Sequence, residues 1–436
     1  MVRAGRARLV ELELLIVPSL IMLGGLLLVV LVDRGDLVFD WQDVYTAGAF
    51  VAALLFVHAY LSLSRFQGDQ VVFPTVALLT ALGLVMMQRL DILSSKADLQ
   101  GIAVRQTLWV FLGLAAMLVT VVLFGRLNRL RRYKYTLFAF GILLMIGLLV
   151  PGLGREINGA RLWYDLGPIL FQPSELLKVI LVIFFAAYLD ERRDLLASEY
   201  RVGPLKLPPL PYLAPMVAMW GASMLVLVVL KDLGSALLFF TIFLAMLYAV
   251  TGRALYVWVL GGLFVAGAFF AYRTFGHVRV RVDTWLYPFE DVAGTGFQIS
   301  QSLFALATGG LYGTGLGYGS PDVIPFTHTD MVFSAIAEEL GLMGTLAVLG
   351  LYLVLVYRGF YIAMHVRSGF NQLVGVGITT IFGAQSLIII AGDVKLIPLT
   401  GITLPFVAYG GSSLLTNYVM VGLLLGLSAD RREWRA

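Results

Sequence analysis

Apolar runs about as long as a membrane-crossing helix alternate along this chain with short polar connections. A helix needs about 20 predominantly apolar residues to span a hydrocarbon core about 30 Å thick. On that pattern twelve spans are predicted, at about 14–32, 45–64, 73–90, 105–125, 133–151, 173–190, 212–230, 233–250, 254–272, 331–357, 372–392 and 405–428. One interval breaks the rhythm. Residues 273–330 run polar, glycine-rich and aromatic between two apolar segments, far longer than a connection between neighbouring helices needs to be. The interval carries the carboxylates Asp283, Glu290, Asp291, Asp322 and Asp330, the cations Arg273, Arg279 and Arg281, and the histidines His277 and His328. A long, compositionally rich loop is more often functional than idle. The spans therefore read as a scaffold and the loop as what they carry.

Composition sharpens the membrane reading. Apolar residues make up 59% of the chain and charged residues 13%, where a soluble domain carries about 25% charge. Mean hydropathy is +0.89. No stretch has the length and polarity of an ordinary soluble domain. A net charge of +4 would suggest nucleic acid only if it gathered in a basic stripe with interleaved aromatics, and it does not. With no cysteine in the sequence, disulfides, Cys-ligated zinc and thiolate chemistry are excluded. The opening segment MVRAGRARLVELELL is basic, then apolar, without a small-residue cleavage site. An anchored helix is expected there rather than a removed signal peptide.

Where the charges sit predicts orientation. With the N-terminus inside, nineteen arginines and lysines fall on inner segments and eleven on outer ones, Lys178 lying within a span. The sharpest contrast sets RLNRLRRYK (126–134), inner, against DRGDLVFDWQD (33–43), outer. The positive-inside rule then puts both termini in the cytoplasm and the 273–330 loop outside. The inner segment 190–211, with Pro204, Pro208, Pro209 and Pro211, reads as a cytoplasmic linker.

Charges within spans are costly and tend to face a bundle interior or a wet cavity. Here they gather near the outer ends, as Glu175 with Lys178, Lys231 with Asp232, and Glu338 with Glu339. Glu175 and Lys178 are three apart, share one helix face and are placed to pair. Gln172-Pro173-Ser174-Glu175 opens a span: Pro is tolerated in a first helical turn, and Ser or Glu there can satisfy free N–H groups. Structural ion pairs and caps account for each cluster taken alone. That all three fall on one side favours a polar cavity opening outward beneath the loop. The glycines from Gly294 to Gly319 lack a GxxxxGKS/T pattern and a strand–helix context, which argues against a nucleotide site. They are expected to permit tight backbone packing. His328 has no second histidine at ligand spacing, so hydrogen bonding is expected of it rather than metal binding.

Several blocks follow one another in a specific order. They are Asn158-Gly159-Ala160-Arg161-Leu162-Trp163 leading to Gln172-Pro173-Ser174-Glu175 and Lys178; Asp232-Leu233-Gly234-Ser235-Ala236; and Pro288 through Asp291 to Gly294, Gly296, Gln298 and Gln301-Ser302. Then come His328-Thr329-Asp330 with Ala337-Glu338-Glu339-Leu340-Gly341, and Pro398-Leu399-Thr400-Gly401 with Leu404-Pro405-Phe406 and Tyr409-Gly410-Gly411-Ser412-Ser413. Over roughly residues 75–428 the chain resembles the shape, elongation, division and sporulation (SEDS) family, the RodA/FtsW proteins. The resemblance implies an all-α polytopic bundle: a ten-helix core at 67–436 preceded by two additional helices at 1–66. It also implies a peptidoglycan glycosyltransferase at the outer face of the cytoplasmic membrane. Such an enzyme polymerises lipid II into glycan strands during cell elongation or division, beside a class B penicillin-binding protein that cross-links them.

The family's essential loop aspartate falls on Asp291. Glu175, Lys178, Arg161, Asp232, Arg279, Arg281, Gln298, His328, Asp330 and Glu338 are the implied substrate-binding residues, and a divalent cation, Mg²⁺ or Mn²⁺, is a possible cofactor. Four positions depart from the family pattern: Val292, Lys231 and Ala408 stand where the family has proline, proline and serine, and Phe326 where it has glutamate.

The implied reaction joins two sugars by displacing a polyprenyl pyrophosphate. The acceptor hydroxyl is a poor nucleophile until a carboxylate takes its proton, which contributes roughly 10²–10⁴-fold. The leaving pyrophosphate needs positive charge or a divalent ion. Residue chemistry alone does not choose among Asp283, Glu290 and Asp291; the resemblance selects Asp291. Two rival readings use the same polar clusters. One is a lipid II flippase, which would need a polar path reaching the inner half; the other is a scaffold that recruits the penicillin-binding protein.

Overall fold

The computed structural model describes residues 8–34, 41–93, 99–157, 159–167, 169–197, 200–202, 205–207 and 210–430. Asn158 of the first motif and Pro204, Pro208 and Pro209 of the linker lie outside the described residues. The chain opens with α1 (Leu9–Arg34), α2 (Trp41–Leu63), α3 (Val72–Leu93), α4 (Ile102–Leu123), the single turn α5 (Leu127–Leu130) and α6 (Lys134–Gly147). Three short strands follow, β1 (Gly154–Ile157), β2 (Ala160–Asp165) and β3 (Leu170–Phe171), then α7 (Pro173–Glu191) and α8 (Arg193–Ala197). A strand pair, β4 (Tyr200–Val202) and β5 (Leu205–Leu207), leads to α9 (Leu210–Val229), α10 (Leu233–Thr251) and α11 (Ala254–Thr274). The remaining helices are α12 (Gly276–Leu286), α13 (Phe297–Gly309), α14 (Val332–Met364), α15 (Gly369–Asp393) and α16 (Gly411–Ala429).

The polytopic helical architecture is as expected, and three details differ. Among the described residues nine stretches, not twelve, are long and apolar enough to cross a membrane. α4 and α6 fall within one apolar stretch, Ile102–Gly147; α7 carries Glu175, Lys178, Asp190 and Glu191; and the apolar part of α9, Leu213–Val229, is short. Second, the 273–330 interval is not a plain loop. It contains α12, α13 and a 3₁₀ turn at Pro321–Val323, because its apolar positions are too few for a span but enough for short packed helices. Third, the three short strands form an antiparallel sheet in the order β1-β2-β3. Ile157 pairs with Ala160, and Gly159 between them takes φ +76°, the positive φ that a two-residue hairpin requires. An Asn-Gly pair is a strong hairpin signal, legible in the sequence at 158–159.

The outer surface is apolar. Trp258, Leu263, Val265, Phe269 and Phe270 of α11 are all exposed, in a helix of which little is buried. Lipid satisfies such a surface where water would penalise it. The chain is a multi-pass membrane protein.

Contacts divide the chain into two compact units. The first comprises residues 1–122, 283–358 and 385–429. In it α1 lies so close to α3 that a Cβ at Gly25 would press on Val85, and Gly113 of α4 allows the ring of Tyr418 to approach. Tyr418 exchanges a hydrogen bond with Thr80 (3.0 Å). The second comprises residues 123–282 and 359–384 with the C-terminal end. There Gly141 of α6 receives Leu177 of α7, and Gly377 of α15 receives Val182 and Met246. Trp220 stacks on Phe243, ring centroids 4.9 Å apart.

Candidate active site

In the first unit Asp291 lies on an exposed turn that leads into α13. Its Oδ2 accepts hydrogen bonds from the Thr295 backbone N–H (2.9 Å) and the Thr295 hydroxyl (3.3 Å). The Asp291 carbonyl accepts from the N–H groups of Gly294 (3.2 Å) and Gly296 (3.0 Å). Two glycines make this turn possible. A Cβ on Gly294 would strike the Asp291 carboxylate, and one on Gly296 would strike the Pro288 carbonyl oxygen. The Ser300 hydroxyl donates to that same carbonyl (3.1 Å) and ties the turn to α13. Oδ1 has no partner among the described residues. The carboxylate is thus fixed through one oxygen and open at the other. Gln298 sits in the first turn of α13, half-buried. Val292, at the family's proline position, is half-buried in the same turn.

His328 and Asp330 belong to a second turn. The Phe326 carbonyl accepts from the N–H groups of Thr329 (3.0 Å), Asp330 (3.0 Å) and Met331 (3.2 Å), with Phe326 itself at φ +56°. A positive φ at a bulky residue is strained backbone. The His328 carbonyl accepts from the Tyr409 N–H (2.7 Å) and the two rings lie 6.1 Å apart. This joins the fourth motif block to the last.

Glu338 is buried rather than presented to solvent. Its Oε1 accepts from the Ser320 N–H (3.0 Å) and its carbonyl accepts from the Thr314 N–H (2.9 Å). Here the glycines do the packing expected of them. A Cβ on Gly309, Gly313 or Gly319 would collide with the backbone or side chains of 337–339, and α14 kinks at Gly341, where φ is +65°. One residue central to this packing was not singled out from the sequence. Arg89 of α3, 3% exposed, donates through Nε to Glu339 (3.1 Å) and through Nη2 to the carbonyls of Gly317 and Gly319. An arginine within an apolar span was the available signal; its partner lies too far along the chain for any spacing rule to find it.

The second unit holds the other expected residues. Lys178, 1% exposed, pairs with Glu175 at 2.5 Å, as their spacing predicts. Pro173 occupies the start of α7, but no side chain caps that end; the expected cap by Ser174 or Glu175 is absent, and the Ser174 hydroxyl is buried without a partner among the described residues. Asp232 caps α10, its Oδ1 accepting from the Ser235 N–H (3.0 Å). Burial pushes the Asp232 carboxyl above its ordinary range and the charge of Glu175 adds to this, while Ser235 and Arg281 pull the other way. Arg281 also acts on His277, whose imidazole is pulled below its ordinary value first by burial and then by Lys231 and Arg281. Lys231 takes φ +63° and donates to the Gly159 carbonyl (3.2 Å). Proline is confined to φ near −65°, so the family's proline does not fit this backbone.

Two expected residues make other contacts. Arg161 pairs with Glu156 (3.0 Å) across the β1–β2 hairpin, both of them exposed, and not with Glu175. Arg279 donates to the Arg273 carbonyl (3.1 Å) on the exposed face of α12. The structure therefore brings Glu175, Lys178, Asp232 and Arg281 into one charged group, and places Asp291, Gln298, His328, Asp330 and Glu338 on the turns and helix starts of the first unit. Among the described residues no group of three or more His, Asp or Glu side chains assembles a metal cage.

Comparison with known proteins adds five findings. The sequence model of the FtsW, RodA and SpoVE type, described as cell cycle protein, matches residues 69–433. The peptidoglycan glycosyltransferase RodA of Mycobacterium tuberculosis is 42% identical over 388 residues, covering 87% of this chain and 82% of that protein. A probable peptidoglycan glycosyltransferase FtsW of Trichlorobacter lovleyi is 32% identical, covering 83% and 93%. Among solved structures, a chain of a peptidoglycan synthase complex, described as coordinating polymerization and crosslinking, aligns over 84% of this chain and 99% of its own length, with a TM-score of 0.67 and 29% identity. The rod shape determining protein RodA of Thermus thermophilus aligns with a TM-score of 0.57 at the same identity, over 84% of this chain and 98% of its own length.

Proposed function

This chain belongs to the FtsW, RodA and SpoVE family of cell cycle proteins, and from that premise we propose that it is a peptidoglycan glycosyltransferase that polymerises lipid II into glycan strands. The observation that carries the reading is the turn around Asp291: an exposed carboxylate anchored through Oδ2 by Thr295, with Oδ1 open, in a backbone that two glycines make possible. That is the arrangement a general base needs.

Asp291 takes the proton from an acceptor sugar hydroxyl. The hydroxyl oxygen forms its bond to the anomeric carbon of the donor, and the bond from that carbon to the pyrophosphate oxygen breaks. The polyprenyl pyrophosphate leaves with the electron pair. Arg161, Arg279, Arg281 and Lys178 are proposed to serve the departing charge: Arg161 and Arg279 are exposed, and Arg281 and Lys178 stand with the buried carboxylates Asp232 and Glu175. An arginine fork holds two phosphate oxygens at once, which lysine does not reproduce. Gln298, His328, Asp330 and Glu338 are proposed to line the sugar and peptide portions of the substrate. When bound, a divalent cation such as Mg²⁺ or Mn²⁺ would supply further positive charge to the pyrophosphate. Such ions need only one or two carboxylates, taking their other ligands from water and phosphate.

The protein is proposed to sit in the cytoplasmic membrane with both termini inside, which the charge asymmetry of its connections supports. That places the Asp291 turn on the side where lipid II is polymerised. A class B penicillin-binding protein is the proposed partner, since the aligned structure is a chain of a synthase complex. Residues 1–66 are proposed as an addition to a core at 67–436. α1 nevertheless packs along α3, and the buried pair Arg8–Glu11 reaches His58 and the carbonyl of Asp69. Deleting residues up to 66 should therefore lower the melting temperature yet leave strand synthesis measurable; folded protein with no activity would put the two helices inside the catalytic unit.

The whole reading is tested by giving the purified protein, in liposomes, fluorescent lipid II. Polymeric glycan on a gel is expected. Transfer of lipid II between leaflets with no polymer would make the protein a flippase instead.

A further inference from the structure

A basic segment with no part in the reaction above opens the second unit and leads into α6. It runs as a 3₁₀ turn at Phe124–Arg126, the single turn α5, and a second 3₁₀ turn at Arg131–Tyr133. Side chains three apart eclipse one another in a 3₁₀ helix and are neighbours in an α-helix. Arg126, Arg129 and Arg132 therefore come up along one face, and all three are exposed. Leu127 and Lys134 are buried, with Leu130 and Arg131 half-buried between them.

The five cations of the segment divide by partner. Arg131 pairs with Asp190 (2.9 Å) and Glu191 (3.4 Å), and Lys134 pairs with Glu191, both carboxylates standing at the end of α7. Those two carboxylates offset the two inward cations. Arg126, Arg129 and Arg132 make no side-chain hydrogen bond or ion pair among the described residues. Three uncompensated positive charges thus stand in one row.

What lies beside the row points to its partner. From Arg132 a stripe at helical spacing continues along α6 through Thr136, Phe140, Leu143 and Ile146, all exposed. In a multi-pass membrane protein such an apolar stripe meets lipid tails. The opposite stripe, Lys134, Phe138, Gly141 and Met145, is buried, and Gly141 receives Leu177 of α7. Arg132 therefore stands where the lipid-facing stripe ends, at the depth of the headgroups. Tyr133 and Tyr135, 59% and 45% exposed, flank it, and tyrosine gathers at that interface. Anionic headgroups complement the free guanidiniums, each of which can grip two phosphate oxygens at once.

We propose that Arg126, Arg129 and Arg132, with Tyr133, form a binding surface for the headgroups of anionic phospholipids. The proposal needs only that the chain spans a membrane. It stands independently of the polymerase reading, and its test uses no lipid II.

Full-length protein in neutral detergent is given equal amounts of phosphatidylglycerol and phosphatidylcholine with the same acyl chains, and native mass spectrometry counts each lipid retained. Preferential retention of phosphatidylglycerol is expected, weakening as sodium chloride is raised. One arginine at an anionic surface contributes about fivefold in affinity. Arg129→Gln should therefore lower the preference about fivefold, and the triple variant Arg126→Gln, Arg129→Gln, Arg132→Gln should lower it on the order of 10²-fold. With phosphatidylcholine alone, both variants should melt as the wild type does, because the three side chains have no internal partners. Arg155→Gln removes the same charge from the β1–β2 hairpin, where Arg155 pairs with Asp165, and it should keep the wild-type preference. If the triple variant fails to fold, Arg129→Gln still decides. The proposal is overturned if wild type retains the two lipids equally, if the triple variant keeps the preference, or if Arg155→Gln loses as much as Arg129→Gln. It is also overturned if inorganic phosphate abolishes the preference, which would make the row a site for a free anion. Binding of an acidic polypeptide through these arginines, with no preference between the lipids, would overturn it in favour of a protein partner.

Discussion

Asp291 and Asp232 are carboxylates held in opposite ways. Asp291, in the first unit, sits on an exposed glycine turn with one oxygen anchored and the other open. Asp232, in the second unit, is buried at a helix start, capping Ser235 beside the Glu175–Lys178 pair and under the charge of Arg281. Exposure separates the roles. A general base must reach its substrate and shed its proton to water between turnovers, which suits Asp291. A buried charged group is bound to its neighbours first, so changes there should register in stability before they register in chemistry.

The largest effect is expected in the second unit. Removing one partner of a buried ion pair leaves the other charge uncompensated and costs about 3–5 kcal/mol. Lys178→Ala should lower stability by about that much, read as a large drop in melting temperature in detergent. An unchanged melt would mean that the pair is wetter and looser than the geometry implies, and the contrast between the two regions would fail.

Next comes a glycine of the first unit. In Gly294→Ala the new methyl meets the end of the Asp291 side chain, not backbone. The carboxylate can rotate away and the fold should survive. A misplacement of about 1 Å in a catalytic group can cost on the order of 10² in rate, so strand synthesis should fall by that order at an unchanged melting temperature. Gly296→Ala strikes the Pro288 carbonyl instead, and it should lower both. Equal behaviour of the two variants would dissolve the distinction between a positioned side chain and a structural turn.

What was legible in the sequence follows the same divide. The apolar runs gave the helices, because about 20 apolar residues in a row leave a chain little else to do. The Glu175–Lys178 pair followed from spacing alone, since residues three apart share a helix face. Contacts between distant segments were hidden. Arg89 and Glu339 are 250 residues apart, and nothing local in either announces the other. Ser302, Ser334 and Asp393 likewise meet only when three segments fold together. The β1–β2 hairpin was legible from Asn158-Gly159, but its strands are too short to show alternation.

The smallest stability effect belongs to Arg161. Its pairing with Glu156 is exposed on both sides, and such pairs contribute about 0–1 kcal/mol. Arg161→Lys and Arg161→Ala should leave the melting temperature nearly unchanged. If the guanidinium grips phosphate, the rate at saturating lipid II should fall about tenfold for lysine, which loses the fork, and further for alanine. Wild-type rates in both variants, with Mg²⁺ and Mn²⁺ varied, would remove Arg161 from the donor site and leave it as a hairpin residue.

The central claim rests on the open oxygen of Asp291, and one variant addresses it. Asp291→Asn keeps the size of the side chain and an oxygen able to accept from Thr295, but it removes the base. Purified wild type and variant, matched in melting temperature and in binding of the penicillin-binding protein partner, are given the same lipid II, and the products are separated on a gel. The account predicts glycan strands from wild type and none from Asp291→Asn. Strands at a near-normal rate from the variant would contradict it and hand the role of base to another residue.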